Sequence, residues 1–132
     1  MQIGKVIRIA GVAGAALLAF APASAQAPGL AMLERLDRGQ WTLSMRGGGS
    51  QRICVRTGRE FIQLRHRQPG CERFVVGDES NEVTVQYTCR GNGYGRTTIR
   101  RESSNLVQVR SQGIHGGRPF SIDAEARRTG SC

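Results

Sequence analysis

Apolar and polar residues alternate with a period of two through most of the second half of the chain. Val83, Val85, Tyr87 and Cys89 share one parity, and Thr84, Gln86, Thr88 and Arg90 share the other. Thr97 and Ile99, then Val107 and Val109, and finally Phe120, Ile122, Ala124 and Ala126 continue the same rule. Residues two apart on an extended chain point to the same side, so each run predicts a strand with one buried and one wet face. Between the runs lie Gly91-Asn92-Gly93-Tyr94-Gly95, Ser103-Ser104-Asn105 and Gly116-Gly117. Glycines supply the positive φ that tight hairpins need.

The first half is less regular. Trp41, Leu43 and Met45 alternate up to a turn at Gly47-Gly48-Gly49-Ser50, a second short strand surrounds Cys54, and residues 74–76 form a brief apolar run. Leu30, Leu33 and Leu36 stand three apart, which predicts a short amphipathic helix stopped by Gly39. Residues 57–69 read as a long loop with one helical turn around Phe61 and Leu64, covering one end of the sheet. The expected fold is all-β: a single curved antiparallel sheet, meander or half-barrel, with a short N-terminal helix and two disulfides.

The N-terminus carries a different pattern. Lys5 and Arg8 precede an apolar run over residues 9–20, Pro22 breaks it, and Ala23-Ser24-Ala25 places small residues at −3 and −1 of a cleavage site. That order predicts a signal peptide over residues 1–25, cleaved after Ala25, and hence a periplasmic or secreted protein. The apolar run falls short of the roughly 20 residues a spanning helix needs, so no transmembrane span is expected. Residues 26–38 are then a lead-in with helical spacing, and 39–132 the folded domain.

Export changes the reading of the cysteines. Cys54, Cys71, Cys89 and Cys132 are even in number, widely spaced and without a C-x-x-C pair. In a small exported domain they predict two disulfides in place of a zinc site. Spacing alone leaves three pairings open. Charge adds a second constraint. Of 19 basic residues, 17 follow residue 25, against all 10 acidic ones, a net charge of about +7, and every one of the 17 is arginine. Such a surface is drawn to anionic partners: lipid head groups, lipopolysaccharide phosphates or acidic proteins. Nucleic acid is not expected in that compartment.

Gly39-Gln40-Trp41, Ile53-Cys54-Val55, Cys71, Tyr87-Thr88-Cys89 before a glycine turn, and the terminal Arg127-Arg128-Thr129-Gly130-Ser131-Cys132 together resemble the domain-of-unknown-function 3617 family, exported proteins of Gram-negative bacteria. The resemblance spans residues 39–132; the arginine-rich middle departs from it. It implies a periplasmic β domain with paired cysteines, transfers no catalytic residue, and implies the pairs Cys54–Cys71 and Cys89–Cys132. The strand reading agrees: Cys54 and Cys71 bracket the 57–69 loop, and Cys89 would tie a core strand to the tail.

No nucleophile motif, carboxylate pair or metal cage is visible, so neither catalysis nor a cofactor is expected. His66, between Arg65 and Arg67, and His115, beside Gly116, are expected on the solvated surface. Asp78-Glu79 with Glu82 reads as a hairpin turn, since it lacks a calcium-loop pattern. Three residues stand out as candidate ligand contacts. Arg101 and Arg118 share parity with Ile99 and Phe120, so each must snorkel out at a strand end, pair with a carboxylate or line the rim of an apolar cavity. Tyr94 is expected at the tip of the glycine turn. The functional expectation is a non-enzymatic binding module for an anionic or apolar envelope component or partner protein. The alternative is a structural or stress-related envelope protein with no ligand pocket.

Overall fold

The computed structural model describes residues 29–132, so the expected signal peptide and its cleavage site lie outside the described residues. Seven strands form one antiparallel sheet: β1 (Gly39–Met45), β2 (Ser50–Val55), β3 (Glu72–Asp78), β4 (Glu82–Cys89), β5 (Gly93–Ser103), β6 (Leu106–His115) and β7 (Arg118–Gly130). A four-residue helix, α1 (Ala31–Glu34), precedes β1, and a 3-10 turn (Arg59–Phe61) follows β2. The all-β expectation, the short N-terminal helix and the two disulfides are all present.

Strand order is β2-β1-β7-β6-β5-β4-β3. Strands β3 to β7 run as a meander of hairpins, while the β1–β2 hairpin docks on β7, closing the far side of the sheet with the first strands of the chain. The segment between β2 and β3 therefore has to cross from one sheet edge to the other. It does so over the inner face, and that crossing builds the core.

Inward residues obey the parity read from the sequence. Val83, Val85, Tyr87, Ile99, Val107, Val109, Ala124 and Ala126 are sealed, as are Trp41 and Leu43 of β1. Phe61, Ile62 and Leu64 of the crossing segment, with Leu30, Met32, Leu33 and Leu36 around α1, pack down on them. Phe61 meets Trp41 edge to face at 5.3 Å between ring centroids, a preferred aromatic geometry. Trp41 Nε1 donates to the Asp37 carbonyl at 2.9 Å, which satisfies its polar end. The apolar face is thus a filled core.

The disulfides correct the expected pairing. They join Cys54 to Cys132 and Cys71 to Cys89, where the family resemblance and the loop-stapling argument pointed to Cys54–Cys71 and Cys89–Cys132. Strand order is the reason. Gln40 of β1 faces both Cys54 on β2 and Gly130 on β7, so the C-terminus ends one strand away from Cys54. Cys71 directly precedes Glu72, which faces Thr88, so it lies beside Cys89. Cys54 and Cys71 stand at opposite edges of the sheet.

Candidate functional site

The crossing segment carries polar chemistry into the core. Thr97 and Ser111 are inward, buried neighbours on β5 and β6, 2.7 Å apart through their hydroxyls. Thr97 Oγ1 donates to the Ile62 carbonyl at 2.6 Å, which binds the crossing segment to the sheet. Tyr87 lies flat across Gly95, whose missing side chain makes room: a Cβ there would overlap the Tyr87 ring and hydroxyl. Its hydroxyl then meets His66 Nδ1 at 2.9 Å, and His66 Nε2 meets the Asn92 carbonyl at 3.0 Å. A carbonyl only accepts, so Nε2 carries the proton, and in the neutral ring Nδ1 accepts from Tyr87. Burial pushes the Tyr87 phenol above its ordinary range, and the neighbouring Ser111 hydroxyl offsets part of that rise.

His66 is therefore a core residue, 2 % exposed, meeting Tyr87, His115 and Phe120 edge to face. This corrects the expectation of a solvated histidine. The flanking Arg65 and Arg67 point to solvent, a parity that a loop reading does not reveal. His115 is half-buried at the end of β6.

Around this anchored segment opens a cavity of about 460 Å³. Its walls come from both sheet edges, Arg52, Ile53 and Cys54 of β2 and Arg73 of β3, and from the segment between them, including Arg59 and Arg67. Two edges of one open sheet can share a cavity only because the sheet curves. Arg73 Nε donates to Gln63 Oε1 at 2.7 Å, and buried Gln63 is itself held through Nε2 by the His66 carbonyl at 2.8 Å. Arg59 donates to the Gly29 carbonyl at 3.0 Å. Among the described residues none of Arg52, Arg59, Arg67 or Arg73 forms an ion pair; the five ion pairs lie elsewhere. Glu60 lines the same cavity, but its carboxylate accepts from the Arg56 and Thr57 backbone amides at 3.0 and 3.1 Å. Partial desolvation, then the charge of Arg59, lowers the Arg73 guanidinium below its ordinary range, and Glu60 opposes them.

The three residues singled out from sequence do not converge. Arg101 faces Val107 near one end of β5, with its Nε buried and unpartnered among the described residues. Arg118 faces His115, which faces Gly93 at the other end of β5. Eight residues of strand separate the two levels, about 26 Å at the usual rise. Tyr94 is 51 % exposed. It is not at a turn tip: β5 begins at Gly93, so Tyr94 sits in the strand, on the outer face. The cavity arginines were missed. A signal for them existed: residues 52–73 hold six arginines against two glutamates. That Arg52 and Arg73 meet one cavity from opposite sheet edges was not visible without the strand order.

No family model, curated protein or solved structure matches the chain.

Proposed function

We propose that this chain is an exported, non-enzymatic binding module that captures an anionic envelope ligand in the arginine-lined cavity between the two edges of its sheet. The observation that carries the reading is four cavity arginines without a carboxylate partner among the described residues. Guanidinium groups around one cavity, offset only in part by Glu60, repel one another, and an incoming anion relieves that cost while accepting charge-assisted hydrogen bonds. The cavity's size lies in the range of small-ligand sites. Its Ile53, Leu64 and Pro69 add apolar lining for a ligand with a non-polar portion. Two disulfides support a setting outside the cytoplasm, where such bonds persist, and the resemblance to exported proteins points the same way.

Titration calorimetry with tripolyphosphate tests the reading. Binding is expected, weakening as salt rises toward about 0.5 M because exposed charge is screened within roughly 5–10 Å. The double variant Arg59→Gln/Arg73→Gln should lose about tenfold or more, since a hydrogen bond to a charged group contributes about 1.5–3 kcal/mol. The outer-face control Arg110→Gln should bind as the parent does. Equal loss in the control, or no binding by the parent, overturns it.

A second reading has its own support. The inner face is fully packed, as a structural envelope protein without a ligand would require. Native mass spectrometry of protein purified gently from its own compartment separates the two: a retained anionic ligand supports the module, and bare protein that also ignores tripolyphosphate supports the structural role.

A further inference from the structure

The outer face of the sheet divides into a region whose polar side chains satisfy one another and a region where they do not. Toward one end, Thr84 bonds Thr98 at 3.0 Å, Gln108 bonds Glu125 at 3.1 Å, and Arg100 and Arg127 pair with Glu102 and Glu125. Arg46 and Arg110 both approach Asp123. Toward the other end the next cross-strand row is Gln86, Arg96 and Gln112, in register on β4, β5 and β6. Among the described residues none of these three side chains makes a hydrogen bond or ion pair, and all three are exposed. The row beyond it is Tyr94, Ile114 and Pro119. Between the rows runs a groove of about 410 Å³ across the strands.

One wall of this groove is therefore apolar and the other is a line of open donors and acceptors. We infer that the groove is a second binding site, distinct from the arginine cavity, for an acidic oligosaccharide. A pyranose ring has an apolar C–H face and a rim of hydroxyls. Tyr94 and its apolar neighbours suit the ring face, whereas two carboxamides and a guanidinium suit the hydroxyls, each carboxamide offering both donor and acceptor atoms. Arg96 has no carboxylate of its own among the described residues, so it favours a sugar that brings one, such as a uronate, through a bidentate pair. Single-stranded nucleic acid is the competing class for such a surface. Its binders present successive aromatic side chains for stacking, whereas Tyr94 is the one exposed aromatic lining the groove, and Phe74, opposite Gln86, lies outside it on the edge strand β3.

The test is ¹H–¹⁵N NMR titration of the disulfide-bonded protein with tetragalacturonate, with maltotetraose and with an eight-nucleotide oligothymidylate. Tetragalacturonate should shift the Gly95, Gly113 and Ile114 amides. Tyr94→Ala should weaken binding about tenfold, and Arg96→Gln should erase the preference for the acidic over the neutral sugar. Arg127→Gln, at the paired end of the same face, should change neither. Shifts confined to residues 59–73, or none at millimolar sugar, overturn the inference. Tighter binding of the oligothymidylate than of tetragalacturonate at the same amides also overturns it, in favour of nucleic acid.

Discussion

On β4 and β5 the inward Val83, Val85, Tyr87 and Ile99 are sealed from solvent, while one residue along the same strands Gln86, Thr88, Arg96 and Arg100 stand in water. The inner face has a cover, built from α1 and the crossing segment, and its polar groups are hydrogen-bonded, Thr97 with Ser111 and Ile62, and Tyr87 with His66. The outer face has no cover, and its charges are free to pair or to stay open. In a single-sheet protein, stability thus concentrates on one side. Recognition is left to the other side and to the gap between the edges. Changes on the inner face should accordingly be costly and indifferent to salt, and changes on the outer face cheap.

The largest effect should come from the bonds that hold the sheet's edges. Removing Cys54–Cys132 by a double change to Ser releases a 78-residue loop, worth about 4.5 kcal/mol in the chain-entropy model, against about 3 kcal/mol for the 18 residues of Cys71–Cys89. Urea unfolding of both variants should rank them in that order. Peptide mapping without reduction checks the pairing itself, and a peptide joining Cys54 to Cys71 would refute it. Next in size is Phe61→Ala, which empties the site against Trp41 and should cost about 3–5 kcal/mol, whereas Gln86→Ala on the outer face should stay within about 0.5 kcal/mol. Similar losses from both would erase the distinction between the faces.

Smaller again is Gly95→Ala. The new methyl displaces Tyr87, and overpacking of this kind costs about 1–3 kcal/mol. Tyr87→Phe should cost about 1 kcal/mol and leave His66 Nδ1 without its donor. Tyr87 also sets an alkaline limit. Its folded pKa is raised, so its contribution is whole below the unfolded value of about 10 and declines as pH rises from there toward the folded value. A parent protein that loses stability in that window while Tyr87→Phe loses less would bear this out. The smallest effect belongs to Glu125, exposed on the outer face. Hydrogen bonds from Gln108, then from Arg127, hold its carboxyl below the usual range. Its contribution is present above the unfolded carboxylate pKa and lost as pH falls through the folded one. Glu125→Gln should leave the urea midpoint at pH 7 unresolved from the parent, because exposed pairs contribute little.

Much of this architecture was legible from local pattern. Parity alone identified the inward residues of β4 to β7, because a strand repeats every two residues whatever its neighbours are. Leu30, Leu33 and Leu36 announced a buried lead-in, and Phe61 and Leu64 a cover, expected over one end of the sheet and found across its inner face. Where the pattern was short, it misled. Residues 74–76 looked like a continuous apolar run, yet Phe74 is 71 % exposed and Val76 43 %, with a bulge between Val75 and Gly77 at the sheet edge. His66 looked solvated because its neighbours are arginines, and only its partners on three strands and a turn explain its burial.

What the chain determined by itself, then, is whatever depends on neighbours in sequence: which residues extend, which face they turn inward, where glycine permits a turn, and how much positive charge must be carried. What tertiary structure alone decided is which strands lie side by side. Docking of the β1–β2 hairpin on β7 is a contact between the two ends of the domain, with no local signature, because an exposed edge pairs with any strand of suitable register. From that one contact follow the Cys54–Cys132 bond, the route of residues 56–71 across the core, and the meeting of Arg52 with Arg73 around one cavity, whereas Cys71–Cys89 follows from the local β3–β4 pairing.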